Sequence, residues 1–562
     1  MLPKAPSPTL NPEKKETHKS PSFITDKVNF ALSWTRRNEI KIILFLLVII
    51  SITAFCYYYS IGIHALYGDA LSRLNISRKI VDNLTPGFAQ LGNVWLPLPQ
   101  ILMLPFIWNS YLWHSGIAGS LVSMVAFIFG GFCIYKSGKL LTGSSLSSGL
   151  ALSVYALNIN VLYMQTSSMS EVLFISFSAA VLYYLIKWTR TGNITDLITT
   201  GFFVNGVTLT RYEGLAILFG TIAVVALFSY LKNKNFKKAE SDTFIFSSLA
   251  SLGFALWTLY LAAIFGDPLY WMHYYAGAQA STDTEMEATY AQNLPLFEAV
   301  WRYTTSVIWM NGIVPTILAV GGILFLVYKN IRSFSIKSLP LLVPFSVFAF
   351  MILTLMRNTP IKQPDFNLES LISPTTSFYN EFNIRYGLMV TPFVALFSVY
   401  FFNAKSRILK AFLVLLFSFQ LYSYFDLKYT LIFQLPRGLH HSLMQSQASQ
   451  TSQNDDVDWL KKNYDGGLIL VSALKHDPQM FKLGLDYKTY IHEGTDHYWK
   501  ASIQDPSVYA KWVWLDNNNM EDQVTKFLKN SGVLQDAYDI VYEERGIRVY
   551  KIKGETRKTV KL

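Results

Sequence analysis

The residues best suited to chemistry begin in a long polar stretch, Ile61–Leu112, which lies between two strongly apolar runs. Polar loops of this length are uncommon and are usually either functional or disordered. Aromatic and apolar residues are interleaved with the polar ones, which argues against disorder. Asp69 lies close to the first apolar run, and a carboxylate there can act as a general base. The alternative is a helix N-cap, because Asp69 precedes the segment Ala70–Leu74.

Two arginines follow Asp69 on the helix that this segment would form. Arg73 and Arg78 can pair with carboxylates or bind an anionic head group, because the planar guanidinium suits phosphate oxygens. The alternative is that both are solvated loop charges. Further along, Trp95–Gln100 is a candidate wall of the same cavity. Trp95 fits either a sugar platform or an interfacial aromatic belt.

Charged residues recur where later apolar runs begin or end. Glu171 opens one run, where a carboxylate is also favoured simply by the helix N-terminus. Arg211 and Glu213 lie two residues apart and can pair with each other. Arg385, beside Tyr386, can stabilise the negative charge of a departing phosphate. Ionisable residues at a membrane boundary are costly unless paired or hydrated, so each is a functional candidate.

The composition places these residues in a membrane protein. Hydrophobic residues make up 51% of the 562 positions and charged residues only 15%, whereas soluble domains carry about 25% charged residues. Repeated apolar runs long enough to cross a bilayer predict a polytopic α-helical protein with about eleven transmembrane helices. The net charge of +11 does not indicate nucleic acid, because basic residues concentrate in alternate short loops, as the positive-inside rule requires.

The same charge pattern predicts the topology. Basic residues before the first span place the N-terminus in the cytoplasm, so the Asp69 loop and the other polar clusters all lie on the outer face. The predicted organisation is a flexible cytoplasmic tail, a transmembrane domain, a linker and an extracytoplasmic α/β domain, covering residues 1–38, 39–430, 431–456 and 457–562 respectively. Cys56 and Cys133 fall in apolar runs and predict no disulfide framework.

The C-terminal domain has the pattern of a small α/β fold. Helices are expected at Val457–Asn463 and Met520–Asn530, and strands at Gly467–Val471, Asp539–Glu543 and Ile547–Lys551. Three tryptophans there are candidates for either sugar stacking or core packing: Trp499, Trp512 and Trp514. The domain contains no glycine-rich phosphate loop and no metal-ligand spacing. No cofactor is therefore predicted, although a divalent metal remains an open alternative.

Several short segments in a fixed order resemble bacterial polytopic glycosyltransferases of the GT-C superfamily, which are related to protein O-mannosyltransferases and aminoarabinose transferases. The segments are Gly68–Ala70, Arg78–Val81, Pro86–Gly92, Trp95–Pro99, Met169–Glu171, Thr210–Gly214 and Asn383–Gly387. The resemblance implies transfer of a sugar, with inversion, from a polyprenyl-phosphate carrier at the membrane boundary. It implies Asp69 as the catalytic base, Glu171 and Glu213 as further acidic candidates, and Arg211 and Arg385 as ligands of the carrier phosphate.

Two positions depart from that family pattern. Ala70 follows Asp69 where the mannosyltransferases have paired acids, and Gln100 stands where a histidine is expected. The expected partners are a polyprenyl-phosphate-linked sugar, a glycan, lipid or protein acceptor, and the lipids of a bacterial plasma membrane. Two other classes of protein stay open. A transporter or lipid flippase is disfavoured because internal repeats and paired broken helices are not evident, and a receptor-like protein would use the outer domain to bind a partner.

Overall fold

The computed structural model describes residues 23–92, 94–273, 294–357, 384–403, 406–423, 455–519 and 522–560. The chain divides into two compact units, Met1–Leu46 and Leu47–Leu562. The first helix, α1 (Phe23–Ser60), begins within the predicted cytoplasmic tail. Residues 1–22 of that tail, and the predicted linker up to residue 454, lie outside the described residues.

In the described residues, the membrane part of the chain contains helices joined by turns and no strand. Helix α1 is followed in chain order by α2 (Gly68–Val81), α3 (Leu98–Ile107), α4 (Ser110–His114), α5 (Ile117–Thr142), α6 (Ser145–Ala156), α7 (Ile159–Met164) and α8 (Glu171–Thr191). They are followed by α9 (Ile194–Thr208), α10 (Gly214–Asn233), α11 (Phe236–Phe265), α12 (Leu296–Asn311), α13 (Ile313–Arg332), α14 (Val343–Met356), α15 (Thr391–Phe402) and α16 (Arg407–Ser423). The predicted polytopic helical fold is confirmed.

Eight helical segments in the described residues are long and apolar enough to cross a membrane: Arg37–Ser60 of α1, then α5, α8, α10, α11, α13, Ile336–Met356 and Arg385–Phe402. The other three predicted spans correspond to α6, α9 and α16, which have 12, 15 and 17 residues. At about 1.5 Å per residue, α6 and α9 are shorter than the roughly 30 Å hydrocarbon layer. Helix α16 is described only as far as Ser423, where the described range ends. Of the eleven predicted spans, eight are therefore long apolar segments in the described residues, and α6 and α9 are shorter helices.

A capping residue explains one of these shorter helices. The apolar run 145–162 suggests a single span, but α6 ends at Ala156 and Asn158 begins a new helix. The Asn158 side chain accepts hydrogen bonds from the backbone N–H groups of Asn160 and Val161, which is the role of an N-cap. Hydropathy alone does not register this break, because the residues on both sides of it are apolar.

The C-terminal α/β fold is built on one five-stranded sheet of order β2-β1-β3-β5-β4. The strands are β1 (Leu468–Val471), β2 (Tyr490–Ile491), β3 (Ala510–Asp516), β4 (Tyr538–Glu544) and β5 (Ile547–Ile552). β1 pairs in parallel with β2 and β3, whereas β5 is antiparallel to β3 and β4. The helices are α17 (Asp455–Asn463), α18 (Ala473–Leu483), α19 (His497–Ser502), α20 (Gln523–Leu528) and α21 (Gly532–Ala537). β2 and β3 were not predicted from the sequence.

The tryptophans of this fold pack in its interior. Trp512 and Trp514 of β3 are 1% and 0% exposed, and Trp499 is also buried. The indole N–H groups of two of them donate hydrogen bonds inside the protein: Trp512 donates to the Gly466 carbonyl and Trp514 donates to Asp456. Of the two uses considered for them, the structure therefore supports core packing and not sugar stacking.

The predicted outer loop 61–112 is an ordered group of short helices that packs against the α/β fold. Leu71 and Leu74 of α2 belong to the same buried core as Met480 and Tyr487 of the C-terminal part. Helix α2 also packs against α3, where the Ser77 hydroxyl donates to the Gln100 carbonyl. Helix α2 therefore lies between α3 and the α/β fold.

Candidate active site

Four separate segments bring six charged side chains together at one end of the helices. We call Asp69, Arg73, Glu171, Arg211, Glu213 and Arg385 the charged cluster. Asp69 and Arg73 lie on α2, Glu171 opens α8, Arg211 and Glu213 lie between α9 and α10, and Arg385 lies on the 3-10 segment Ile384–Val390. The sequence predicted all six as site residues, and the structure gathers them from positions more than 300 residues apart.

Glycines hold two of these segments close to neighbouring helices. A Cβ added at Gly214 would lie 2.6 Å from the Val207 carbonyl oxygen of α9, and one at Gly387 would lie 2.2 Å from the Ser306 carbonyl oxygen of α12. Any larger residue would push the backbone apart at these contacts. Gly214 follows Glu213, and Gly387 follows Arg385-Tyr386. These close contacts therefore fix the backbone positions from which the charged side chains extend.

Glu171 is the buried centre of the charged cluster. Its side chain is 0% exposed, and its Oε1 lies 3.2 Å from Arg211 Nη1 and 3.6 Å from Arg385 Nη1. Helix α8 starts at this residue, so the helix dipole also favours the carboxylate. Arg211 in turn binds Glu213 at 2.8 Å and lies 5.2 Å from the ring centroid of Tyr386. One carboxylate thus joins two arginines that come from different segments of the chain.

Asp69 lies at the accessible edge of the cluster. Its Oδ2 is 2.9 Å from Arg385 Nη2, and 46% of its side-chain surface is exposed. Burial raises the pKa of Asp69, but the charges of Arg385, Arg73 and Arg211 lower it by more, so the pKa lies below its ordinary value. The N-cap of α2 is Tyr67, and Asp69 lies inside the first turn. The alternative role of Asp69 as an N-cap is therefore wrong.

Arg73 differs from the other two arginines of the cluster because it lacks close partners. It is 7% exposed, and its Nε and Nη1 atoms have no hydrogen-bond partner among the described residues. Its guanidinium lies 4.7 Å from the ring centroid of Trp95, a cation–π contact. Burial lowers the pKa of Arg73 to about 10, against the pull of Glu171 and Asp69. Buried donors without partners are uncommon and call for an explanation.

Gln100 shows the same unusual feature. Its side chain is 0% exposed, and neither Oε1 nor Nε2 has a hydrogen-bond partner within the described part of the chain. Its own backbone carbonyl accepts the Ser77 hydrogen bond from α2, so Gln100 lies against the helix that carries Asp69 and Arg73. The segment Trp95–Gln100 therefore borders α2.

Arg78 does not join the cluster. It donates to Asp82, to the carbonyls of Ile107 and Trp108, to Ser110 and to Asp486 of the C-terminal fold. Five residues advance an α-helix by about 500°, which turns Arg78 roughly 140° away from Arg73. The prediction that Arg78 binds substrate is corrected: the residue links α2 to its neighbours.

Three contact residues of the cluster were not named as site residues from the sequence. Arg385 lies 4.8 Å from the ring centroid of Tyr67 and contacts the Met169 sulfur at 3.9 Å. The Ser170 hydroxyl accepts a hydrogen bond of 3.2 Å from Arg211. Met169 and Ser170 directly precede Glu171, and Tyr67 lies two residues before Asp69, so proximity to a predicted acid was the available signal.

The carboxylates of the cluster are arranged for arginine pairing. Asp69 binds Arg385, Glu213 binds Arg211, and Glu171 contacts both of these arginines. In the residues that the structure covers, no group of three or more His, Cys, Asp or Glu side chains is placed to hold a metal ion. The chemistry available to the cluster is proton acceptance by an exposed carboxylate and stabilisation of an anion by guanidinium groups.

No protein-family model matches this chain, and no curated protein matches it in sequence. Among solved structures it is similar to ArnT from Cupriavidus metallidurans bound to undecaprenyl phosphate, with 9% identity and a TM-score of 0.50 over 90% of this chain and 97% of that one. It is also similar to the archaeal oligosaccharyltransferase AglB from Archaeoglobus fulgidus in complex with an inhibitory peptide and a dolichol-phosphate, with 10% identity and a TM-score of 0.46 over 92% and 75%. The chain therefore shares the fold of ArnT, a polytopic helical fold of the kind that its sequence resemblance predicted.

Proposed function

We propose that this protein is a membrane glycosyltransferase that moves a hexosyl or pentosyl group from a polyprenyl-phosphate carrier to an acceptor. The observation that carries the proposal is the pairing of an exposed carboxylate, Asp69, with an unpartnered buried guanidinium, Arg73, one helical turn apart on α2. An inverting displacement needs a base on one side of the sugar and stabilisation of the leaving phosphate on the other. The GT-C fold supports this assignment.

In the proposed reaction, Asp69 acts on the acceptor. A hydroxyl oxygen of the acceptor attacks the anomeric carbon, and its proton passes to the Asp69 carboxylate. The bond from the anomeric carbon to the phosphate oxygen breaks, and its electron pair leaves with the polyprenyl phosphate. The low pKa of Asp69 keeps the carboxylate ionised at neutral pH, and its exposed surface gives an acceptor access to it.

Arg73 is the proposed ligand of the carrier phosphate. Among the described residues of the cluster, Arg211 and Arg385 have carboxylates within 4 Å, whereas Arg73 has none. The cluster holds three arginines and three acids, so its own charges balance. A phosphodiester carries one negative charge. When it approaches Arg73, its oxygens can accept hydrogen bonds from the N–H donors that have no partner among the described residues. Hydrogen bonds between guanidinium and phosphate are among the strong ones in proteins.

The other charged residues support these two. Glu171 was a secondary catalytic candidate, but it is fully buried between Arg211 and Arg385. We therefore assign it the role of holding the two arginines, and they in turn orient Asp69 and add positive charge near the phosphate. Trp95 supports the Arg73 guanidinium through its ring. Glu213 pairs with Arg211, and Arg385 pairs with Asp69 and Glu171. Because both arginines have carboxylate partners, we assign the role of direct phosphate ligand to Arg73 in their place.

The distribution of basic residues supports an extracytoplasmic site in a cell membrane. Lys139, Arg190, Lys232 and Arg332 lie in the last turns of α5, α8, α10 and α13. The cluster residues Glu171 and Glu213 lie instead at the first residue of α8 and immediately before α10. The positive-inside rule places the basic ends in the cytoplasm. The cluster, and the C-terminal α/β domain that packs on α2, then lie on the outer face.

The test is a transfer assay with purified protein in lipid nanodiscs. The donors are radiolabelled polyprenyl-phosphate sugars, and the acceptors are a panel of glycans, lipids and peptides. Removing a general base costs about 10²–10⁴-fold in rate, so Asp69→Asn is expected to lose transfer by that factor. Asp267→Asn is the matched control, because Asp267 lies outside the cluster and binds His273; it should retain wild-type transfer. Equal rates for the wild type and Asp69→Asn, or no transfer by the wild type with any pair, would contradict the proposal.

A further inference from the structure

Helix α2 presents two different faces. At about 100° per residue, Asp69 and Arg73 lie within about 40° of each other on the face that joins the charged cluster. Asn75, Arg78 and Lys79 lie on the remaining surface, between about 180° and 280° from Asp69 by the same geometry. All of these residues belong to one helix of 14 residues. We call the surface that carries Asn75, Arg78 and Lys79 the second face. Because both faces belong to one helix, contacts that hold the second face also set the direction of the face that carries Asp69 and Arg73.

The second face is bound to the C-terminal α/β fold by buried polar contacts. The Asn75 side chain donates to the Asp477 carbonyl at 2.8 Å, and Lys79 Nζ lies 3.4 Å from Asp477 Oδ1. The Lys79 and Asp477 side chains are only 12% and 10% exposed. Tyr487 donates its hydroxyl to Asp477 at 2.5 Å and its backbone N–H to Asp82 at 3.0 Å. These groups form a continuous polar connection across the interface.

Apolar contacts reinforce this connection. Leu74 of α2 is 0% exposed and shares one hydrophobic core with Met480, Phe481 and Tyr487. Asn75 also accepts a hydrogen bond from the Trp113 indole. Isolated helices of about this length are marginal in water, so the direction of α2 depends on the surfaces against which it packs. Part of its second face packs against the C-terminal fold through Asn75 and Lys79, and part packs against α3 and α4 through Arg78 and Asn75.

We propose that the C-terminal α/β fold positions Asp69 and Arg73 by holding helix α2, with Lys79 and Asp477 as positioning residues. The consequence for the reaction rests on the proposed glycosyl transfer, whereas the mechanical coupling along α2 does not. A displacement of about 1 Å at reacting groups costs about 10²-fold in rate. The α/β fold thus contributes to catalysis without touching the substrate.

The first test compares two lysines that make the same kinds of contact, with Lys79 in a buried pair and Lys551 in a more exposed one. Lys79 binds Asp477 and lies 5.0 Å from the Tyr487 ring centroid, while Lys551 binds Asp465 at 2.7 Å and lies 4.8 Å from the Trp512 ring centroid. Lys551 makes these contacts on β5 and not on α2. We expect Lys79→Met to lower kcat about 10- to 100-fold with little change in the KM for donor. Lys551→Met should leave both constants unchanged, and Lys79→Arg should restore most of the kcat.

The pH profile separates positioning from a purely structural role. The charges that act on Asp69 are those of Arg385, Arg73 and Arg211, and among the described residues Glu171, Glu213 and Tyr67 contact Arg211 or Arg385. Arg385 keeps the pKa of Asp69 low only while α2 presents the carboxylate to it. In Lys79→Met the acid limb of kcat should therefore move to higher pH. Loss of folded protein alone would lower the amplitude of the profile and leave the limb in place.

Hydrogen–deuterium exchange tests the coupling without any transfer assay. Backbone amides of residues 68–73 should exchange several-fold faster in Lys79→Met than in the wild type, and at the wild-type rate in Lys551→Met. If Lys79→Met does not fold, Asp477→Asn gives the milder change, because the amide oxygen can still accept from Tyr487 and Lys79. Unchanged exchange at residues 68–73 in the folded variant overturns the positioning proposal. If the wild type transfers sugar and the acid limb of the variant is also unchanged, the proposed function stands and the positioning role alone falls.

Discussion

Replacing Arg73 by methionine should make the protein more stable and less active. Methionine is similar in length and apolar, and it carries no donor that burial would leave without a partner. Arg73 is 7% exposed, and its Nε and Nη1 have no hydrogen-bond partner in the described structure. A side chain that only stabilised the fold would have its donors satisfied. The variant therefore distinguishes a binding role from a structural one.

The magnitude follows from the cost of burying the charge. Burial lowers the pKa of Arg73 from an ordinary value of 12.5 to about 10. A pKa shift of one unit corresponds to about 1.36 kcal/mol, so keeping Arg73 charged lowers the stability of the folded state by on the order of 3 kcal/mol. Because the folded pKa of this basic group is lowered, the cost applies at every pH below about 10, including neutral pH. The Trp95 contact recovers about 0.5–2 kcal/mol, so Arg73→Met should raise the free energy of unfolding by roughly 1–3 kcal/mol.

Arg78 provides the matched control on the same helix. It makes hydrogen bonds to Asp82 and to the carbonyls of Ile107 and Trp108. Arg78→Met leaves these acceptors without their donor, and breaking a buried ion pair typically costs about 3–5 kcal/mol. Two Arg→Met changes that lie five residues apart should thus shift stability in opposite directions.

The measurement combines thermal unfolding and ligand binding in one detergent. Arg73→Met should unfold at a higher temperature than the wild type, and Arg78→Met at a lower one. Loss of a charge-assisted hydrogen bond costs about 1.5–3 kcal/mol, so Arg73→Met should bind undecaprenyl phosphate roughly 10- to 100-fold more weakly. A variant that unfolds at a lower temperature and keeps wild-type affinity would refute the assignment of Arg73 to the carrier phosphate.

Two further predictions concern the same site. Arg385→Met removes the charge that most lowers the pKa of Asp69, so the carboxylate protonates at a higher pH. The acid limb of the kcat/KM profile should therefore move to higher pH. A limb that does not move would mean that Asp69 is not the titrating base. Gln100→Leu removes two buried amide atoms that have no partner within the described residues, so it should raise the free energy of unfolding by about 1–2 kcal/mol, and unchanged donor and acceptor KM values would exclude Gln100 from substrate binding.

The sequence identified all six members of the charged cluster, and it identified four of them by where they occur. Acids and arginines next to apolar runs are costly unless they have partners or a role, and this local rule applies to Asp69, Glu171, Arg211 and Arg385. It does not separate Arg73 from Arg78, since both follow Asp69 on one polar helix. The difference between them arises from the neighbours of α2, which lie elsewhere in the chain.

The class of the protein, its apolar segments and the types of residue at the site were determined by the sequence, because hydropathy and charge are properties of short stretches. The tertiary structure decided which charges meet: Arg385 reaches Asp69 across 316 positions, and Asn75 reaches Asp477 across 402. It also decided that Asn158 divides one apolar run into two helices and that Trp512 and Trp514 are core residues. Such pairings depend on how distant segments pack, and no local pattern encodes them. The sequence therefore predicted the components of the site, and the fold determined their roles.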